Sequence, residues 1–161
     1  MGDSYREARS LAISYIGISH KSSGKVRDYL CRKGFSNEIS DQVVISLISD
    51  GYIDDLRVAG SLIRSRKGRK TESKRALQQR MYHAGISRES IEAACVSIPD
   101  DSISIQELIE DKLIPDLQKQ VLADAFDAEL WMNKSVRFLL SRGFSSTLCM
   151  TALRRRIRDV E

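Results

Sequence analysis

The chain has 161 residues, 42% hydrophobic and 30% charged, with a formal net charge of +4. That composition suits a folded protein with room for one medium domain or two or three small helical units, and it excludes a globally disordered chain. No apolar run approaches the roughly 18 to 20 residues needed to cross a bilayer, and the start MGDSYREARS has no apolar signal core, so a cytoplasmic protein with no membrane contact is expected.

In chain order, SYREARSLAISYIG sets Ala8, Leu11, Ala12, Tyr15 and Ile16 along one stripe at three- and four-residue intervals, predicting a first helix. Ser22 is placed to cap a second helix through KVRDYLCRK, which Gly34 stops. A third runs from about Asn37 to Asp50, with Ile39, Val43, Val44, Leu47 and Ile48 inward, and ends at Gly51. Asp54 or Asp55 caps DDLRVAGSLIRSR, Thr71 caps TESKRALQQRMYHA, and Ser87 begins SRESIEAACVSI. Beyond Pro99, helical segments are expected around 102–113 and 115–132, followed by SVRFLLSRG and STLCMTALRRRIRD. Pro115 belongs at a helix start, and Trp131 in a packed interior.

A short turn recurs: KGFS at 33–36, AGIS at 84–87, RGFS at 142–145. In each, glycine can take the left-handed conformation that ends a helix, the next apolar residue can pack back, and the serine can start the following helix. The register repeats as well. Ala8 and Ala59 each stand 26 residues before their glycine, and Leu11 and Leu62 each stand 23 before. Modules of this size bury their apolar faces on their neighbours. The expected fold is all-α: three tandem three-helix repeat units over 1–50, 51–99 (basic) and 100–161 (acidic in its first part).

The net charge hides a division. Residues 1–56 carry −1, 57–88 carry +9, 89–130 carry −9 and 131–161 carry +5. A chain so polarised suits a partner with a charge pattern of its own. Chemistry is harder to find. There is no phosphate-binding loop, dinucleotide fingerprint, zinc-protease motif or nucleophile elbow. Asp54-Asp55 and Asp100-Asp101 stand where helix caps belong. Cys31, Cys95 and Cys149 are far apart and odd in number, and neither His20 nor His83 lies at metal-ligand spacing from them. A non-enzymatic protein is expected, with no metal, no cofactor and no small-molecule substrate.

Binding remains. Arg57, Arg64, Arg66, Lys67, Arg69, Lys70, Lys74 and Arg75 gather around a glycine-containing turn, and Arg154, Arg155, Arg156 and Arg158 stud the last helix. Such cations suit phosphate contacts, which raise affinity without reading sequence and weaken steeply with salt. Sequence-specific readout fits poorly, because the helix after Gly34 opens with Asn37, Glu38 and Asp41.

Several stretches together resemble the RecX family, regulators of the bacterial RecA recombinase. They are S22-x-x-K25-V26-x-x-x-L30-x-x-K33-G34-F35, L47-I48-x-x-G51-Y52-I53-D54-D55-x-x-x-A59, R64-x-R66, L77-x-x-x-M81-x-x-x-G85-I86 and F138-L139-L140-x-R142-G143-F144-S145. The resemblance implies an elongated, curved stack of three-helix units lying in the groove of the RecA filament on single-stranded DNA. There it would dampen ATP hydrolysis, strand exchange and co-protease activity, in DNA repair, homologous recombination and the SOS response. Carried over, Asp55 and Ala59 belong to the second unit's motif, Arg64 and Arg66 to its basic patch, and Leu139, Gly143 and Phe144 to the terminal unit. The chain departs from the family pattern in having Lys25-Val26 in place of Glu-Leu, and Gly68 early, with Thr71-Glu72 where a glycine is common. The alternative expectation is a recombinase-independent, sequence-nonspecific DNA-binding or architectural protein.

Overall fold

A computed structural model describes residues 2–123 and 125–158, the side chain of Arg158 excepted. It contains ten α-helices and no β-strand among the described residues: α1 (Gly2–Ile16), α2 (Ser23–Arg32), α3 (Asn37–Ser49), α4 (Asp55–Arg64), α5 (Lys74–His83), α6 (Arg88–Cys95), α7 (Asp101–Leu108), α8 (Ile114–Leu122), α9 (Ala128–Ser141) and α10 (Ser146–Arg158). A 3₁₀ turn, Gly68–Lys70, lies between α4 and α5, and a π-helical turn, Ile109–Leu113, joins α7 to α8.

Capping serines start the helices as expected. Ser22, Ser36 and Ser87 accept the backbone N–H groups of Lys25, Ile39 and Ser90. The three glycine turns share one geometry, with φ of 94° at Gly34, 73° at Gly85 and 88° at Gly143. In each, the next residue's N–H reaches back to the last buried turn: Phe35 to Leu30, Ile86 to Met81 and Phe144 to Leu139. This is the hydrogen-bond pattern that satisfies orphan carbonyls at a helix end. α5 is capped by Ser73, whose hydroxyl accepts the Ala76 N–H at 3.2 Å. The expected cap, Thr71, is instead buried just after the 3₁₀ turn.

The chain divides into two compact units, one of Met1–Leu62 with Gln79–Ser97, the other of Ile63–Gln78 with Ile98–Glu161. In the first, Ala8, Ala12 and Ile16 of α1 pack with Val26 and Leu30 of α2, Val43, Val44 and Leu47 of α3, and Ile53. Each fully buried leucine or valine there is worth about 1.5–3 kcal/mol. Ile48, expected inward, is 49% exposed. The α3 surface that meets α1 and α2 is narrower than its run of apolar residues.

In the second unit, Ile105, Leu108, Ile109, Leu113 and Leu117 pack with Trp131 and Leu139 of α9, Phe144, and Cys149 and Leu153 of α10. α8 starts at Ile114 with Pro115 in its first turn, as expected, but the π turn joins it to α7 without a gap. It ends at Leu122, short of the expected 132, with the next helix beginning at Ala128. Pro115 explains the local geometry. It has no N–H to give the carbonyl four residues back, and its ring crowds that carbonyl. The backbone widens into a π turn, with the Ile114 N–H reaching Ile109, so Leu113 and Leu117 both stay buried.

Each compact unit also holds a joint in which a helix-capping serine or its neighbour meets a glycine turn. In the first, the Ser22 hydroxyl donates to the Ala84 carbonyl and the Gly24 N–H to the Gly85 carbonyl at 2.8 Å. A Cβ on Gly24 would sit 2.6 Å from that oxygen, so only glycine allows the approach. In the second, the Ser73 N–H donates to the Arg142 carbonyl at 3.0 Å, beside Gly143. The aspartate pairs complete both joints. The first member of each pair caps its own helix: Asp54 accepts the Arg57 N–H and Asp100 the Ser102 N–H, both at 2.8 Å. The expected capping role of each pair is thus met by its first member, and the second members bond elsewhere. Asp55, 8% exposed, accepts the Ser23 N–H (2.7 Å), the Ser23 hydroxyl (2.6 Å) and the Ser87 N–H (2.7 Å), tying the starts of α2 and α6 to α4. Asp101 accepts the Lys74 N–H at 2.7 Å and ties the start of α5 to α7.

Candidate nucleic-acid interface

Arg57 is exposed on α4 within the first compact unit. All the other basic residues singled out in the sequence belong to the second. Arg64, Lys67, Arg69, Lys70 and Arg75 are exposed, while Arg66 and Lys74 are half-buried. On α10, Arg154 and Arg155 are exposed and Arg156 is half-buried; the Arg158 side chain lies outside the described residues.

Some of these cations are committed to the fold. Glu72, only 4% exposed, has a carboxylate oxygen 3.8 Å from Arg66 Nη1 and 4.0 Å from Arg142 Nη1. A buried carboxylate is costly unless paired, so it draws both guanidinium groups to itself. Arg142 also lies 5.0 Å from the centre of the Phe138 ring. Sequence reasoning did not group Arg142 with the central cluster, since 70 residues separate it from Glu72.

The π turn recruits two more. Pro115 leaves the Asp111 carbonyl without its helical donor, and Arg69 Nε supplies one at 3.2 Å. One residue earlier, Glu110 forms an ion pair with Arg156. The two basic clusters, far apart in sequence, are thereby brought to one turn of the second unit, and part of the acidic block is engaged internally. Arg64, Lys67, Lys70, Arg75 and Arg155 remain exposed and form no ion pair among the described residues.

The concavities are modest. Gln106, Ile109, Ala152, Arg155 and Arg156 line a cleft of about 120 Å³, below the several hundred Å³ usual for small-molecule sites. A wider groove of about 450 Å³ along α8 is lined by Ile114, Leu117, Gln118, Val121 and Leu122, none of them ionisable. Among the described residues no group of three or more His, Cys, Asp or Glu is placed to hold a metal ion, and no helix is long and apolar enough to cross a membrane.

Repeated three-helix modules with related serine, aspartate and glycine contacts define an all-α helical-repeat protein. Residues 8–47 match the family model described as "RecX, first three-helix domain", and residues 54–94 match "RecX, second three-helix domain", together about half of the chain. The chain belongs to the RecX family. It is 24% identical over 144 residues to the "Regulatory protein RecX" of Leuconostoc citreum (strain KM20), covering 89% of this chain and 52% of that protein. It is 26% identical over 147 residues to the "Regulatory protein RecX" of Mycobacterium leprae (strain Br4923), covering 91% and 84%. The chain thus spans about half the length of the Leuconostoc relative and of several from Streptococcus. The fold is shared with the crystal structure of RecX from Lactobacillus salivarius, with a TM-score of 0.72 at 17% identity over 96% of this chain and 97% of that one. A second crystal structure, of a "regulatory protein RecX", gives 0.69 at 20% identity over 91% and 70%.

Proposed function

We propose that this chain is a non-enzymatic modulator, mainly an inhibitor, of RecA filaments on single-stranded DNA. Its three repeat units, over 1–50, 51–99 and 100–161, lie in the filament groove and dampen ATP hydrolysis, strand exchange and co-protease activity. Membership of a family of regulatory proteins supports the reading. The observation that carries it is the gathering of two basic clusters around one turn of the second unit, with Arg64, Lys67, Lys70, Arg75 and Arg155 exposed. Five cations on the phosphates of a single strand correspond to a slope of log affinity against log salt of about −3.5. That is a grip suited to holding a protein on a nucleoprotein surface without reading bases.

The test is ATP hydrolysis by preformed recombinase filaments on single-stranded DNA while this protein is titrated. Substoichiometric loss of hydrolysis is expected, and Arg64→Ala/Lys67→Ala/Lys70→Ala should shift the titration to higher concentration. Unchanged hydrolysis and filament length, together with tight binding to bare DNA, would overturn the reading in favour of a recombinase-independent DNA-binding protein.

A further inference from the structure

The first compact unit carries a different kind of surface, built from α1 and α2. Tyr15 and Tyr29 stack with ring centres 4.1 Å apart and planes 3° from parallel. Lys21 Nζ lies 5.4 Å from the centre of the Tyr15 ring, and Lys33 Nζ 5.6 Å from that of Tyr29. Each ring's inner face is taken by the other ring, so the ammonium groups lie over the outer faces. Near-parallel rings at this separation form a stacked pair, and the negative face of each ring attracts the ammonium group that lies over it. Both tyrosines pack in part against the core of α1, α2 and α3 and leave the rest of their surface to solvent.

The surroundings are cationic. Lys25, Tyr29 and Lys33 recur at four-residue intervals, which places them on one face of α2, with Arg32 beside them. Lys25, Arg32 and Lys33 are exposed. The one acid between Lys21 and Lys33 is Asp28, and Arg27 is engaged with Asp41 and Asn37. This patch sits inside a stretch, 1–56, whose net charge is −1, so summing charge by segment passes over it.

We propose that this patch binds single-stranded nucleic acid directly. Nucleobases stack on the outer faces of Tyr15 and Tyr29, and the displaced Lys21 and Lys33, with Lys25 and Arg32, take the flanking phosphates. Unpaired bases have free ring faces to offer, whereas duplex bases are stacked on one another. A simple polyanion would use the cations and leave the rings idle. The inference goes beyond the filament reading, because it requires no recombinase.

The test uses the full chain and a fluorescent oligothymidylate, followed by anisotropy across a salt series without recombinase. Tyr29→Leu keeps apolar bulk and removes the ring; it should weaken binding about tenfold with little change in salt slope. Tyr29→Phe keeps the ring and should bind like the parent. Lys21→Gln/Lys33→Gln should flatten the salt slope by about 1.4, the loss of two single-strand phosphate contacts. Circular dichroism checks that each variant is folded, and if Tyr29→Leu is not, the lysine pair decides. Parent-like affinity in a folded Tyr29→Leu, or an unchanged slope in the lysine pair, would overturn the proposal. So would equal affinity for inorganic polyphosphate or for duplex DNA. Hydrolysis by filaments reads the preceding proposal and free oligonucleotide reads this one, so either can fail alone.

Discussion

Asp55→Asn replaces one oxygen with an amide group of nearly the same shape. In the native joint one carboxylate oxygen accepts the Ser23 N–H, and the other accepts the Ser23 hydroxyl and the Ser87 N–H, all within 2.6–2.7 Å. An asparagine can place its oxygen at only one of those positions. Wherever its amide group goes, it meets a backbone donor, leaving that N–H unsatisfied at a cost of about 1–3 kcal/mol. The remaining bonds lose the strengthening of the negative charge, about another 1 kcal/mol. With the side chain only 8% exposed, water offers little rescue, so the total is about 3 kcal/mol. For a chain of this size that corresponds to a fall in Tm of about 6–12 °C. The assay is urea and thermal unfolding of the full chain by far-UV circular dichroism, beside Asp54→Ala, which removes an ordinary cap worth about 1 kcal/mol. An Asp55→Asn loss no larger than that of Asp54→Ala would refute the argument that Asp55 joins three helix starts.

Three further outcomes are expected. Gly24→Ala brings a Cβ to 2.6 Å from the Gly85 carbonyl oxygen and 2.8 Å from Gly85 Cα. It should therefore destabilise by about 1–3 kcal/mol in the same unfolding assay, because backbone, not a flexible side chain, has to move. The Asp100 carboxyl is held below the usual carboxylate range by hydrogen bonds from Ser102. Its contribution to stability is present above the ordinary aspartate range and is lost as pH falls through the lowered native value. An Asp100→Asn variant should thus differ from the parent near neutral pH and converge with it in strong acid, as unfolding across a pH series would show. Among the three cysteines, Cys149 is buried and its thiol is pushed up by that burial, Cys95 is buried, and Cys31 is half-buried. A thiol-reactive dye on the native protein should therefore label Cys31 first, with peptide mapping to locate it.

The repeat was legible because its signals are local. The glycine in each KGFS-like turn answers a backbone need within five residues, and the serines cap helices three residues away. What escaped notice lies across long spans of chain. The sequence offers Asp54 or Asp55 as the cap without choosing between them; Asp54 takes that role, and the partners of Asp55, Ser23 and Ser87, are 32 residues away on either side. Pro115 does sit in the first turn of α8, the position proline favours. What that preference does not reveal is the π turn that joins α8 to α7 without a gap and leaves Leu113 and Leu117 both buried. Ile48 shows the limit of periodicity, which marks an apolar face without saying how much of it a neighbour covers. The basic clusters were plain in the sequence. Which cations are spent on the fold was not, since that depends on Glu72, on Glu110 and on a carbonyl freed by a proline. The tyrosine pair was invisible to charge counting, being a matter of ring geometry.

Neither compact unit is a single stretch of chain: Ile63–Gln78 interrupts the first, and Gln79–Ser97 separates the parts of the second. During synthesis, then, the first unit cannot close until Ser97 has left the ribosome, although α1 to α3 emerge long before. At about 5–20 residues per second, the nascent chain waits several seconds with the Asp55 carboxylate made but the Ser87 N–H still to come. A stop, a pause or a protease cut between residues 63 and 97 would strand the early helices without their last partner. Gene fragments divided at the glycine turns inherit the same difficulty, so this fold is easier to lengthen at its ends than to divide in its middle.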